Sequence, residues 1–244
     1  MASKYIGIPK EPSAAGFMLV STIYGLAVAK AGVREWSAGI LLVLLHMFTF
    51  DPILNAARTW DLRDLFYLGI VNALPYFCLL VLGVKTLALS LAVSVVILGS
   101  HFLLVNRRKW RDPYVYITGS AIPVLAALNI PVAVTNALRA DVFVLWLLSS
   151  IYVMATSAYI ESVLPYREFD PKVALTLWLP AFIPVLYNIF LVIPIAEPTV
   201  KFLVQIKNPK KIKATPHEIR RLGWREFARF MVYCTLLIII LKLT

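Results

Sequence analysis

Apolar runs of the length that crosses a bilayer recur along almost the whole chain. Stretches of roughly twenty mostly apolar residues alternate with short polar segments from Ala14 to Leu243. A helix of about 20 residues spans the ~30 Å hydrocarbon core, and it bonds nearly all of its backbone N–H and C=O groups internally, as lipid requires. The sequence therefore predicts an all-α, polytopic bundle of transmembrane helices in the cell membrane.

The composition leaves no room for a separate soluble domain. The 244 residues are 60% hydrophobic and 15% charged, whereas soluble domains are about 45–50% apolar. We therefore predict one transmembrane domain over 1–244, with a basic cytoplasmic loop at 207–225. The net charge of +11 then lies in loops that face anionic lipid headgroups, which argues against a nucleic-acid partner. Cys78 and Cys234 both lie in apolar runs, so we expect no disulfide framework.

The number of spans depends on one short segment. Eight runs are long enough to be spans, at 14–31, 37–57, 65–83, 86–105, 114–134, 142–163, 173–192 and 225–243. Between the last two, residues 193–206 form a shorter run that carries Glu197 and Lys201. Its length alone would make it a half-span or an interfacial segment.

The distribution of Lys and Arg decides between eight and nine spans. If 193–206 crosses the membrane and the N-terminus is cytoplasmic, 19 basic residues lie inside and 5 outside. With eight spans the two counts are 11 and 13. Because positively charged loops stay on the cytoplasmic side, the sequence favours nine helices. Prolines predict distorted helices in this region, namely Pro180, Pro184, Pro194 and Pro198.

The 207–225 loop contains a helix-start signal. Thr215-Pro216-His217-Glu218 matches a capping box with proline at the first helical position. The pattern predicts a short, basic interfacial helix that ends or bends at Gly223. Such a helix would bind anionic headgroups at the inner leaflet or, alternatively, dock a protein partner.

An acidic segment, FDPILNAARTWDLRD, follows the second apolar run. Asp51-Pro52 resembles an N-cap followed by a first-turn proline, so the sequence predicts that the helix breaks and restarts there. The polar residues beyond it are either a self-neutralised helix end or part of a ligand or metal site, and they are Asn55, Arg58, Asp61 and Asp64.

A second acidic segment, SAYIESVLPYREFDPK, follows the sixth predicted span. Glu161 lies just inside the membrane edge, where a carboxylate needs a partner, and we therefore single it out as a functional residue. Glu168 and Asp170 follow in the loop and extend the candidate ligand or metal cluster.

Basic residues cluster after the fourth span, and two histidines lie inside spans. The cluster would bind a phosphate-bearing ligand or headgroup, or would only orient the chain, and its members are Arg107, Arg108, Lys109 and Arg111. His46 and His101 lie at similar predicted depth, which would allow a haem b between them. A buried histidine is more commonly a hydrogen-bonded core group. No phosphate-binding glycine loop, nucleophile elbow, zinc motif or nucleotide fingerprint occurs.

Four stretches together resemble the YwiC-like family of bacterial and archaeal membrane proteins. They are GIPKEPSAAGFML, FLLVNRRKWRDPYVYITGSAIPVLA, WLLSSIYVMATSAYIESVLPYRE and IRRLGWREFARF. Glu11-Pro12-Ser13 stands where that family typically has a His-Gly pair, so no role of that histidine carries over. The resemblance implies a multi-pass membrane protein without an established chemistry.

The predicted architecture is more distantly similar to that of the UbiA-type intramembrane prenyltransferases. Those proteins have nine helices, and acidic motifs in two loops bind Mg²⁺ and a prenyl diphosphate. By that resemblance Mg²⁺ would be the cofactor here, and two triplets would stand for the motifs: Asn55, Asp61 and Asp64, then Glu161, Glu168 and Asp170. Neither triplet has the regular Asp spacing, and Arg58 stands where a carboxylate would help.

Three functions follow from the sequence. The first is a non-catalytic subunit or accessory factor of a larger membrane complex, such as a respiratory one, with other membrane subunits as partners. The second is a UbiA-like prenyl-diphosphate binder or prenyltransferase with degenerate acidic motifs. The third is a small transporter, which proline-broken helices and an intramembrane carboxylate favour.

The nine-span arrangement predicts the side of the membrane on which the 207–225 loop lies. In a variant with Cys78 and Cys234 replaced by serine, Thr215→Cys stays unlabelled when intact cells meet an impermeant maleimide, and it labels after permeabilisation. Lys85→Cys, in a predicted outer loop, is the control that labels from outside. Labelling of Thr215→Cys in intact cells would contradict nine spans.

Overall fold

The computed structural model describes residues 12–107 and 112–243, apart from the side chains of Pro12, Ser13 and Arg58. This part of the chain contains ten α-helices and no strand. The helices are α1 Pro12–Val28, α2 Val33–Thr59, α3 Leu62–Val81, α4 Thr86–Arg107, α5 Pro113–Gly119, α6 Ala126–Thr135, α7 Ala140–Val163, α8 Lys172–Trp178, α9 Val192–Lys207 and α10 Pro216–Leu243. The predicted all-α class is confirmed.

Six helical segments are long and apolar enough to cross a membrane. They are Val33–Ala57, Leu62–Val81, Thr86–Arg107, Pro113–Thr135, Ala140–Val163 and Ile189–Lys207. Two shorter apolar segments, Ala14–Val28 and Lys172–Leu186, accompany them. These lengths and compositions support a multi-pass membrane protein. The short run at 193–206 belongs to one of the six, which agrees with counting it as a span, and the total of nine remains a prediction.

Two predicted spans are interrupted helices. The fifth is divided into α5 and α6 by a turn and a 3-10 segment at Pro123–Leu125. The seventh changes after α8 into a 3-10 segment at Leu179–Leu186, which contains Pro180 and Pro184. Proline lacks the N–H that continues an α-helical ladder. The distortion predicted for the seventh span is thereby confirmed.

One predicted helix break is absent, and one predicted short helix is longer than expected. The helix does not restart at Asp51-Pro52, since α2 continues through Pro52 to Thr59. It is followed by the C-cap residue Trp60, which has a left-handed conformation with φ 55°. The chain stays helical through Gly223, so the predicted short interfacial helix is the first part of the 28-residue α10. A bend at Gly223 remains a prediction. The predicted N-cap is confirmed, because the Glu218 N–H donates to Thr215 Oγ1 at 3.3 Å.

The described helices form two compact units. The first comprises the described residues up to Ile97 together with Pro123–Phe143, and the second comprises Leu98–Ile122 and the described residues from Val144 onward. In the first unit α1 packs against α2 and α6, and α2 packs against α3. Gly25 allows the α1–α6 approach, because a Cβ there would lie 2.6 Å from the Ala127 carbonyl oxygen.

An aromatic cluster lies at the centre of the second unit. The Tyr152 ring of α7 stacks on Tyr233 of α10 with ring centroids 4.5 Å apart, and it contacts the edge of Trp178 of α8 at 6.0 Å. Trp178 also packs against Phe202 of α9, and its indole N–H donates to Thr199 Oγ1 at 2.8 Å. Four helices are therefore joined through buried rings.

Replacing Gly25 by alanine is expected to destabilise the first unit. The new Cβ would lie 2.6 Å from a backbone oxygen and 2.7 Å from Pro131 Cγ, and overpacking costs about 1–3 kcal/mol. The thermal unfolding midpoint of the purified protein in detergent should fall. Gly69→Ala is the control, because none of the described atoms lies within 4 Å of its added Cβ. Equal midpoints for both variants would contradict the close α1–α6 packing.

Candidate functional site

A buried cluster of ionic side chains joins α9 and α10 in the second unit. Lys201 Nζ lies 2.8 Å from Glu226 Oε2, and the two side chains are only 7% and 3% exposed. The other carboxylate oxygen of Glu226 accepts from the Arg229 guanidinium at 2.7 Å and lies 3.5 Å from Arg225 Nε. A buried ion is tolerated only with partners of opposite charge. The carboxylate of Glu226 thus has three cationic neighbours.

Aromatic rings surround the ammonium group of Lys201. The ring centroids of Phe202, Tyr159 and Tyr152 lie 4.8, 4.9 and 5.4 Å from Nζ. Thr156 Oγ1 lies 3.5 Å from the same nitrogen. Rings within about 6 Å attract a cation through their π faces. The position of the ammonium is therefore set by α7 and α9 as well as by Glu226.

A pocket of about 950 Å³ lies beside this cluster. Residues of α7, α9, α10 and the segment 208–212 line it. Its apolar wall includes Val163, Val200 and Val204. The charged lining residues are Glu197, Lys201, Lys210, Lys211, Arg225 and Arg229. The volume falls in the range of small-molecule sites, about 300–1,000 Å³.

Hydrogen bonds fix the segment that follows α9. The Gln205 side chain donates to the Lys210 carbonyl at 3.1 Å and accepts from the Lys210 N–H at 3.3 Å. The ammonium of Lys211 donates to the carbonyls of Leu164 and Arg167, at 3.2 and 2.8 Å. The Lys211 side chain is therefore held at the end of α7, and the backbone of Lys210 is held at the end of α9.

Positive charge exceeds negative charge around the pocket. Arg229 has a second carboxylate partner, Glu197, at 3.4 Å. Among the described residues no carboxylate lies within ion-pair distance of Lys210 or Lys211. Two carboxylates, Glu197 and Glu226, thus face five basic side chains. A pocket with this excess and an apolar wall suits a ligand that has an anionic group and an apolar part.

Two carboxylates among the candidate ligands accept hydrogen bonds at the starts of helices. Asp61 Oδ1 accepts from the Asp64 N–H at 3.1 Å at the start of α3. Asp170 Oδ1 accepts from the Lys172 N–H at 2.8 Å at the start of α8. Side chains at these positions satisfy N–H groups that lack a helical partner. Asn55 and Glu168 are exposed and Asp64 is buried, while the Arg58 side chain lies outside the described part of the chain.

Glu161 has the ionic partner that the sequence analysis requires. Its Oε2 lies 3.1 Å from Arg167 Nε, and the Glu161 side chain is buried. Successive residues of a helix are about 100° apart, so Glu161 faces away from Tyr159 and Val163, which line the pocket. The first acidic triplet belongs to the first unit and the second triplet to the second. A site that combines them remains a prediction.

Both ring nitrogens of His46 have protein partners, which argues against haem ligation by this residue. Its Nδ1 lies 2.6 Å from Asn72 Oδ1, and its Nε2 lies 2.6 Å from the Tyr76 hydroxyl. A neutral imidazole that donates to the amide oxygen and accepts from the phenol has no nitrogen left for iron. His101 Nδ1 lies 3.1 Å from Thr118 Oγ1.

Within residues 12–107 and 112–243, no three His, Cys, Asp or Glu side chains are grouped so that they could hold a metal ion. Arg107 is exposed at the end of α4. The other members of the predicted phosphate-binding cluster, Arg108, Lys109 and Arg111, lie outside the described part.

In the sequence analysis, the residues of the ion cluster have no site role. Lys201 is only a charge in a short apolar run there, and Glu226 occurs only within the stretch IRRLGWREFARF. A basic and an acidic residue placed inside consecutive apolar helices would have been a usable signal, since each is costly in lipid without the other.

The sequence matches no protein-family model and no curated protein, and the chain matches no solved structure. The fold and the site therefore define the class: an all-α, multi-pass membrane protein with a buried ion cluster beside a cationic pocket. The YwiC-like resemblance and the architectural similarity to UbiA-type proteins remain predictions.

Removing one member of the buried pair should cost more than removing both. Glu226→Gln leaves Lys201 buried without its carboxylate, which should lower the unfolding free energy by about 3–5 kcal/mol. Lys201→Met combined with Glu226→Gln should recover part of that unfolding free energy. A double-mutant cycle on unfolding free energies in detergent measures the coupling, with Glu218→Gln on the same helix as control. Additive losses would contradict a directly coupled pair.

Proposed function

We propose that this chain is a non-catalytic, multi-pass membrane protein that binds an anionic amphiphile in the pocket between α7, α9 and α10. The observation that carries the proposal is the excess of positive charge around this pocket, two carboxylates against five basic side chains. Near a low-dielectric bundle, such an excess attracts an anion more strongly than it would in water.

The apolar wall supports an amphiphile over a water-soluble anion. Val200 and Val204 line the pocket and are also 59% and 55% exposed on the outer surface of α9. An apolar tail can therefore leave the pocket along this helix and remain in the bilayer, which contributes roughly 25 cal/mol for each Å² of apolar surface that it buries.

The acidic residues support binding over catalysis. Asp61 and Asp170 hold the first turns of α3 and α8, and Glu161 is paired with Arg167. Each of these carboxylates already stabilises the fold. A binding role agrees with an accessory factor or subunit of a larger membrane complex. The UbiA-like alternative differs in requiring Mg²⁺-dependent binding of a prenyl diphosphate that Asp61→Asn abolishes.

A transporter is the second candidate, and the interrupted helices favour it. The change from α8 to a 3-10 segment at Leu179–Leu186 comes directly before α9, which lines the pocket. Discontinuous helices beside a charged site are common in transporters. Uptake of the bound amphiphile into proteoliposomes would separate transport from binding alone.

Binding should be selective for anionic lipid and should depend on the pocket lysines. The purified protein in a nonionic detergent is expected to retain phosphatidylglycerol but not phosphatidylcholine in native mass spectrometry. Lys210→Gln with Lys211→Gln should weaken retention about tenfold, the size of one charge-assisted hydrogen bond.

The matched control is Lys207→Gln with Lys213→Gln. This pair removes the same charge from the same region, but both lysines are exposed and neither lines the pocket. Equal weakening by the two double variants would mean attraction to the basic surface in general and would contradict a pocket site.

A further inference from the structure

We propose that the ligand of this pocket is a lipid that ends in a terminal phosphate, that is, a phosphomonoester with three terminal oxygens and about two negative charges. The proposal rests on the proposed binding function and adds the chemistry of the headgroup. It concerns the pocket beside α9 and not the acidic segments.

The basic side chains of the pocket that are not matched by a carboxylate indicate how much negative charge the ligand carries. Lys201 is matched by Glu226, and Arg229 lies between Glu226 and Glu197. Three basic side chains of the lining remain: Lys210, Lys211 and Arg225. The nearest carboxylate to Arg225 is Glu226, at 3.5 Å, and that group already has closer cations at 2.7 and 2.8 Å. A headgroup with one negative charge would leave two of the three cations uncompensated.

The available donors indicate how many acceptor oxygens the ligand needs. Lys211 uses two of its three ammonium hydrogens on backbone carbonyls, which leaves one directed elsewhere. The Arg225 side chain is 52% exposed and presents a planar fork that fits two phosphate oxygens. Lys210 adds a further ammonium group to the lining of the pocket. A terminal phosphate offers three free oxygens to these donors, whereas a phosphodiester or a carboxylate offers two.

The hydrogen bonds of Lys211 preorganise part of the anion-binding site before a ligand binds. Its bonds to the carbonyls of Leu164 and Arg167 hold the ammonium at the end of α7 without neutralising its charge. The Gln205 side chain likewise fixes the backbone of Lys210. Less conformational entropy is then lost when the anion arrives.

The test compares headgroups on matched acyl chains. Affinities of the full chain in nonionic detergent are measured for dioleoyl phosphatidic acid, dioleoyl phosphatidylglycerol, cardiolipin, farnesyl phosphate and inorganic phosphate. At pH 8 phosphatidic acid should bind about tenfold more tightly than phosphatidylglycerol, the size of one added charge-assisted hydrogen bond. The preference should shrink at pH 5.5, because a phosphomonoester loses its second charge near a pKa of about 6.

Arg225→Gln should reduce the affinity for phosphatidic acid more than that for phosphatidylglycerol. The control is Arg221→Gln, on an exposed part of α10 outside the pocket lining, and it should change neither affinity.

Tight binding of farnesyl phosphate would support the proposal with an isoprenoid as the source of the tail. Inorganic phosphate that binds as tightly as phosphatidic acid would overturn it in favour of a soluble anion.

Two results would separate this proposal from the proposed function. Equal affinities for phosphatidic acid and phosphatidylglycerol, or a preference for cardiolipin, would overturn the terminal phosphate while anionic lipid binding stands. Failure of every anionic lipid to bind would overturn both.

Discussion

The ion pair between Lys201 and Glu226 is the interaction on which the second unit depends. Its two side chains are almost fully buried and 2.8 Å apart, and either charge alone would be strongly unfavourable among apolar helices. The pair therefore requires α9 and α10 to lie side by side. The rings of α7 and α9 complete the environment of the ammonium, so the position of the pocket follows from the same contact.

The charges of the pocket have two different roles. Lys201 and Arg229 are matched by carboxylates and hold helices together. Lys210 and Lys211 are positioned by backbone and amide contacts, which leave their charge in place. A protein that needs an anion site in a membrane bundle can thus stabilise its core with paired ions and keep other cations at the edge, where water still reaches them.

Residue type and spacing predicted the helices, but they left the roles of the acidic residues and of His46 open. Asp61 and Asp170 were candidate ligands, and each accepts from a backbone N–H that lies only two or three residues further along the chain. His46 was a candidate either for haem ligation or for a hydrogen-bonded core group, and its two ring nitrogens lie within hydrogen-bond distance of Asn72 and Tyr76. The same types of side chain can cap a helix, form hydrogen bonds within the core or bind a ligand, and the neighbouring groups determine which of these roles each one has.

The sequence by itself determined the features that arise within one helix. The apolar run lengths, the helix start at Thr215 and the distortion after α8 all depend on backbone bonding over a few residues. The tertiary structure alone decided which charges meet. Lys201 and Glu226 are 25 residues apart on different helices, and their contact depends on helix packing, which no local pattern specifies. Packing also decided the charge excess around the pocket, because it matched some cations with carboxylates and left others without.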